Sequence, residues 1–339
     1  MSRTPEDSPL FSAQDAPKTT LQYPWGDDQP LYTYTRYMRN LWGDRVQKLA
    51  VDAGFSCPHR VLGDRRDGGC TYCNNEAFNP SYCTPAKSIR QQLEEGISFH
   101  ANRYRRASRY FAYFQAYTNT YGSVALLRAL FEEALVTPRV EGLVIATRPD
   151  CLPEEVLALL QELSSRTYLF VELGVETLHD STLRRIRRGH AAQVSLDAIA
   201  RLRAVGIPVG VHLIWGLPGE TPAMMYQTLN GVVACDIQTI KFHQLQILQG
   251  TQMAEEWLAD PTSFSLWSLE EYLEFLVGIV SSLPATIAVE RICAEAPPRY
   301  LLAPNWGLIR NDEVLRRFKQ LLVERGAYQS SQYGGLPVE

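Results

Sequence analysis

From Arg45 almost to the end of the chain, short β-rich apolar runs alternate with longer stretches patterned for helices. The runs at 45–52, 109–115, 140–147, 168–175, 209–215 and 239–248 predict strands, and a fainter one at 286–292 predicts a seventh. The stretches between them carry helix boundary signals. Thr84-Pro85 and Thr221-Pro222 each place a hydroxyl cap before a proline at the first helical position, and Ser268 with Glu271 fits a capping box. Val194, Ala198, Ile199, Leu202 and Val205 make one apolar stripe, which Gly206 ends and Pro208 keeps from restarting. Strand, helix, strand repeated six or seven times predicts a parallel sheet with right-handed crossovers, closed as a barrel or left open. Either form puts its chemistry at the C-terminal ends of the strands, and Cys57 falls just beyond the first of them.

Composition narrows this picture only modestly. The 339 residues suit one large domain or two smaller ones, and 45% hydrophobic with 21% charged residues is ordinary for a globular chain. A net charge of −4 supplies no global basic field to recruit nucleic acid. Residues 1–30, punctuated by Pro5, Pro9, Pro17, Pro24 and Pro30, read as a loose lead-in without the apolar segment of a signal peptide. No run of about 18 apolar residues predicts a membrane span, so the expected location is the cytoplasm. In that compartment disulfides are rare, and the seven cysteines read as ligands, redox groups or packing.

Four of the seven fall close together: Cys57, Cys70, Cys73 and Cys83. Cys70 and Cys73 form a C-x-x-C, and Cys57 lies thirteen positions earlier across a loop rich in Gly, Asp and Arg. Three thiolates on one loop suit an iron–sulfur cluster with one iron left for another ligand. With His59 the same loop makes a closed zinc set, and spacing alone does not separate the two. A redox dithiol at Cys70/Cys73 is a third reading, and Cys83 reads as a spare ligand or a small buried residue.

The stretch Asp-Ala-Gly-Phe-Ser-Cys57-Pro-His-Arg … Gly-Gly-Cys70-Thr-Tyr-Cys73 resembles the cluster loop of the radical S-adenosylmethionine (SAM) superfamily. Within it, the chain resembles the YhcC-type subgroup, related to the radical SAM domain of the Elongator catalytic subunit. The first cysteine gap is longer than the broad superfamily pattern but is characteristic of the subgroup. Further matches follow at the ends of later strands: Tyr113–Tyr121, Ala146–Pro153, Glu172–Thr177 with Arg187–His190, His212–Thr221, and Lys241–Leu245.

The resemblance implies a partial (β/α)6 TIM-type barrel over residues 31–295, with the N-terminal extension before it and a C-terminal helical segment, 296–339, packing on it. It implies a [4Fe–4S] cluster held by Cys57, Cys70 and Cys73, and SAM on the remaining iron. Tyr72 and Ile214 would lie against adenine, and Gln115 and Tyr117 near the SAM amino group. Glu172, expected at the end of the fourth strand, would face the ribose, and Arg188 would pair with the carboxylate. Gly216 would admit the ligand closely. Lys241 and His243, on one face of the sixth strand, and His212 on the fifth would face substrate, with Arg148 and Arg291 as candidates for an anionic group.

Relatives near Elongator imply modification of the wobble uridine of transfer RNA, with a low-potential donor of the flavodoxin or ferredoxin type as redox partner. Two basic segments, 103–109 and 184–188, offer phosphate contacts. A small-metabolite substrate fits the same core, and a non-enzymatic zinc-binding protein accounts for the loop but not for the later motifs.

Overall fold

The apolar runs become strands that are buried on both faces, which is why they lack polar alternation. They are β1 (Val46–Val51), β2 (Arg109–Phe114), β3 (Val140–Thr147), β4 (Tyr168–Glu176), β5 (Val209–Trp215) and β6 (Thr239–Gln244). The computed structural model describes residues 22–58, 60, 69–101 and 107–334. The run at 239–248 is broken after Gln244, and its last two residues form β7 (Ile247–Leu248). The faint seventh run is β8 (Ala288–Arg291), and β9 (Leu301–Ala303) pairs antiparallel with β7.

The seven strands β1, β2, β3, β4, β5, β6 and β8 lie side by side in sequence order, every neighbour parallel. This curled sheet is the expected partial barrel with one strand more than six. Between the strands run α1 (Tyr34–Trp42), α2 (Ile89–Ala101), α3 (Val124–Leu135), α4 (Glu154–Ser164), α5 (Asp180–Arg185), α6 (Ala192–Ala204), α7 (Pro222–Val233), α8 (Gln252–Ala259), α9 (Leu269–Ser281) and α10 (Asn311–Glu324), with α1 leading into β1. No helix among the described residues is long and apolar enough to cross a membrane.

The helix boundary signals read from the sequence are realised with one exception. Thr221 accepts from the Met224 amide, and Ser268 and Glu271 complete a reciprocal capping box. Gly206 takes φ +79° behind α6, a conformation that costs glycine little. Thr84-Pro85, however, does not open a helix. Cys83 is fastened to the Ala50 carbonyl (3.0 Å), the chain turns at Thr84, and α2 starts only at Ile89 with Ser88 capping the Gln91 amide. Tertiary anchoring on β1 overrides the local start signal.

The barrel interior is layered. At the N-terminal ends of the strands, α1 inserts Met38 among Phe111, Val144 and Phe170, and Phe111 stacks on Tyr168 at 4.7 Å. Outside, the apolar faces of the helices and the outer faces of the strands form one continuous core. The lead-in expected over 1–30 lies outside the described residues as far as 21. From 22 the chain is packed: Trp25 is buried, and its indole N–H reaches Asp27 Oδ1 (2.9 Å). The Tyr32 carbonyl accepts from the Val289 amide (2.8 Å), so this segment covers the β8 edge of the sheet.

Candidate active site

A cavity of about 250 Å³ opens at the C-terminal ends of the strands. Cys57, Cys70 and Cys73 all line it. The Cys73 amide closes a turn on the Cys70 carbonyl (3.1 Å), which brings both thiols of the C-x-x-C to one side. Thr71 between them ties the loop down, donating its amide to the Ile186 carbonyl (3.1 Å) and accepting from the Met253 amide (2.9 Å). Cys57 is held by Thr118 Oγ1 at 3.0 Å. Burial raises the Cys57 thiol above its ordinary pKa, with Thr118 opposing. Cys73 lines the cavity from an exposed position, and partial desolvation, with Cys70 and Cys57 beside it, raises its thiol above the ordinary value. His59 lies outside the described residues. Cys83 is buried on Ala50, away from the cavity lining.

Two guanidinium groups converge on Cys70: Arg188 Nη1 at 3.6 Å and Arg148 Nη1 at 3.7 Å from its sulfur. Each is fixed from behind. Arg148 is paired with Asp150 (2.9 Å) and donates to the Arg188 carbonyl. Arg188 donates to the Gly174 carbonyl and stands 3.3 Å from Glu176. Gly174 leaves room for this arrangement, because a Cβ there would sit 2.7 Å from both Arg188 Nη2 and Glu176 Oε1 and displace them. Glu176 holds φ +66°, Tyr117 φ +59° and Arg187 φ +53°, three left-handed non-glycine residues within or beside the cavity wall.

This donor set fits an iron–sulfur cluster. Three thiols share one wall with two fixed cations, which offset the negative charge that thiolates and cluster bring. Among the described residues no three His, Cys, Asp or Glu side chains gather tightly enough to grip one metal ion. A cluster spreads its thiolates more widely than a single ion does. Arg188 Nε is buried without a partner, a donor left for something bound.

Below the thiols lies a charged layer that the sequence disclosed only in part. Glu172 is not at the end of its strand but in the middle of β4, which runs on to Glu176. Its carboxylate accepts from Lys48, from Lys241 (2.6 Å), from Tyr113 (2.7 Å) and from His212 Nε2 (3.0 Å). Both of its oxygens accept from protein donors while the residue lines the cavity. Glu290 joins the same layer, accepting from Lys48 (2.7 Å) and Lys241 (3.0 Å). Burial would raise the Glu172 carboxyl, but Lys241, Lys48 and His212 overcome it and hold it well below the carboxylate range. Burial lowers Lys241 in spite of both carboxylates, whereas the same two hold Lys48 above the ordinary lysine value. Lys241, expected to face substrate, thus spends its ammonium on Glu172, Glu290 and Tyr113.

The remaining candidates divide cleanly. Tyr72, Gln115, Tyr117, Ile214, His212 and His243 all line the cavity. His212 and His243 stack at 5.7 Å, and burial, reinforced by neighbouring cations, keeps both imidazoles below the ordinary value. Gly216 is outside the lining. It takes φ +84° at the turn after β5, near Leu245 and Trp267, and serves the strand-to-helix turn. Lys48, Tyr113, Glu176 and Glu290 were not singled out from sequence, although each is a polar residue in or beside an apolar run, the same signal that marked Glu172 and Lys241. Of the two basic segments, most of 103–109 lies outside the described residues, and in 184–188 Arg185 pairs with Glu256 while Arg188 turns inward.

Comparison with known proteins gives a consistent picture. Residues 62–231 match the family described as the radical SAM superfamily, and residues 237–322 match the Radical_SAM C-terminal domain. YtqA of Bacillus subtilis (strain 168) is 35% identical over 318 residues, 94% of this chain and 97% of that protein. YhcC of Escherichia coli (strain K12) is 41% identical over 283 residues, 81% of this chain and 88% of that one. A tRNA uridine(34) acetyltransferase of Methanocaldococcus infernus is 28% identical over 163 residues, 47% of this chain but only 29% of the acetyltransferase. The Elp3 structure from M. infernus, lacking residues 1–46, superposes with a TM-score of 0.64 at 17% identity, over 84% of this chain and 64% of that one. At that identity the likeness is one of fold.

Proposed function

The chain belongs to the radical SAM superfamily, and from that premise we propose that it is a cytoplasmic enzyme whose Cys57, Cys70 and Cys73 hold a [4Fe–4S] cluster and whose substrate is a uridine of transfer RNA. When bound, cluster and SAM supply a one-electron cleavage of SAM to methionine and a 5′-deoxyadenosyl radical that takes hydrogen from substrate, the electron coming from a flavodoxin- or ferredoxin-type donor. The observation that carries the reading is the convergence of three thiols and two guanidinium groups on one wall of the cavity.

The protein's own residues have distinct tasks in this reading. Arg188, with an unpaired Nε and a neighbouring carboxylate in Glu176, receives the SAM carboxylate and orients its amino end. Gln115 and Tyr117 border that end, and Tyr72 and Ile214 offer apolar surface to adenine. Glu172, Lys48, Lys241, Glu290 and Tyr113 act beneath as a fixed charged floor that excludes water from the reacting atoms. His212 and His243 face substrate above that floor. The transfer-RNA substrate is supported by the tRNA uridine(34) acetyltransferase, which is 28% identical to this chain over 163 aligned residues.

Anaerobic reconstitution with iron and sulfide should give about four irons per chain and, with SAM and a reductant, 5′-deoxyadenosine. Cys57→Ala should assemble no cluster, and an intact cluster in that variant would overturn the ligand assignment. Mass spectrometry of tRNA nucleosides from cells lacking the gene should show one uridine derivative lost. An unchanged profile would remove the RNA substrate and leave the radical chemistry standing.

A further inference from the structure

His212, Lys241 and Arg291 stand in adjoining register across β5, β6 and β8, with His243 one inward position nearer the mouth. All four line the cavity. The cations of this wall are accounted for by partners, with one exception. Arg148 pairs with Asp150, Arg188 with Glu176, and Lys241 with Glu172 and Glu290, while Arg60 lies over the Tyr117 ring at 4.8 Å. Arg291 has neither a carboxylate nor an aromatic ring as partner among the described residues. In the layer formed by Lys48, Lys241, Glu172 and Glu290 the charges cancel, so Arg291 leaves it with a surplus positive charge.

Beside that surplus charge sits a second unmet demand. His243 Nε2 is buried and has no hydrogen-bond partner among the described residues, while its ring is held in place on His212. A buried ring nitrogen without a partner costs stability unless something that binds supplies one. A guanidinium offers a planar fork suited to two oxygens of one anionic group, and an adjacent imidazole N–H adds a third donor. The opposite choice, a cationic ligand, would meet Arg291 and Lys241 with no unshared carboxylate facing it among the described residues.

We propose that Arg291 and His243 form an oxyanion subsite that receives a phosphate or carboxylate of the substrate, fixing it beneath the reacting atoms. The proposal rests on the radical SAM reading for what happens next, but not for the binding itself. Two sources share this chemistry, the phosphate of a nucleotide unit and the carboxylate of a small molecule.

The test is calorimetric titration of the reconstituted protein with three probes, uridine 5′-monophosphate, uridine and succinate. Uridine 5′-monophosphate should bind and uridine should bind at least tenfold more weakly if the anion comes from a nucleotide. Succinate binding in preference to both would assign the subsite to a small carboxylate. In either case Arg291→Met should weaken the anionic probe roughly ten- to a hundredfold, the range for a lost charge-assisted hydrogen bond. Arg291→Lys should recover part of it, and His243→Ala should weaken it by a smaller factor. Arg291→Lys, which keeps the charge, carries the comparison if Arg291→Met does not fold. Anionic probes that bind no better than uridine, or binding untouched by all three substitutions, would overturn the subsite. The radical reading is scored separately on the wild-type protein by 5′-deoxyadenosine formation. SAM cleavage without anion binding removes the subsite alone, and anion binding without SAM cleavage removes the radical reading alone.

Discussion

Glu172 is 1% exposed and carries its charge only because four side chains surround it. Glu172→Gln keeps the shape but leaves Lys48 and Lys241 to share Glu290. Breaking a buried pair in this way costs about 3–5 kcal/mol, read from chemical denaturation of the apoprotein at neutral pH. The pH dependence follows from the direction of the shift. The folded-state pKa of Glu172 lies below its ordinary 4.5, so its stabilising share is complete above about pH 4.5 and is lost as pH falls through the folded value. The variant should therefore show a shallower loss of stability below pH 4.5 than wild type. Sequence disclosed the polar residues at 172, 212 and 241 as exceptions on apolar runs. It did not disclose that Lys48 and Glu290, 242 positions apart, meet at 2.7 Å.

Among the elements, those whose boundaries rest on local chemistry are the ones sequence located best. β3 and β5 span the residues expected for them, and α7 and α9 begin at their caps. Thr221→Ala removes the acceptor for the Met224 amide and should cost about 1 kcal/mol in urea denaturation. Thr84→Ala, at a cap signal that opens no helix, should cost less than half of that. β4 ends at Glu176, one residue beyond the expected Val175, and a register shift between Gly174 and Glu176 aims Glu176 toward Arg188. Irregularities of this kind arise from cross-strand fit, so no periodicity in the strand itself announces them.

At the scale of the whole molecule, the two ends of the described chain lock together behind the sheet. Gln329 is fully buried, donating to the Pro284 and Ile287 carbonyls (2.7 Å each) and accepting from the Tyr32 amide (3.0 Å). Its own amide reaches the Pro30 carbonyl (2.9 Å). Gln329→Ala would leave the Tyr32 amide and the Ile287 carbonyl unpaired, while the Pro284 carbonyl keeps the Ile287 amide (3.3 Å), and about 2 kcal/mol of stability should be lost in the same denaturation measurement. The sequence led us to expect the C-terminal segment to pack on the barrel but gave no sign of this pairing, because its partners lie some 300 positions away.

The sequence by itself determined the alternation of strand and helix, the parallel sheet it compels, and the three cysteines on a loop beyond the first strand. Those features depend on residue type and on spacings of a few positions, which one-dimensional order preserves. Only the tertiary structure decided that Glu172 belongs to a charged floor and Gly216 to a turn. It alone decided that two arginines converge on Cys70 while a third has no carboxylate partner among the described residues. Charge pairing and desolvation act through distance in space, and the residues that meet in this cavity come from the cysteine loop and from every strand of the curled sheet but the first.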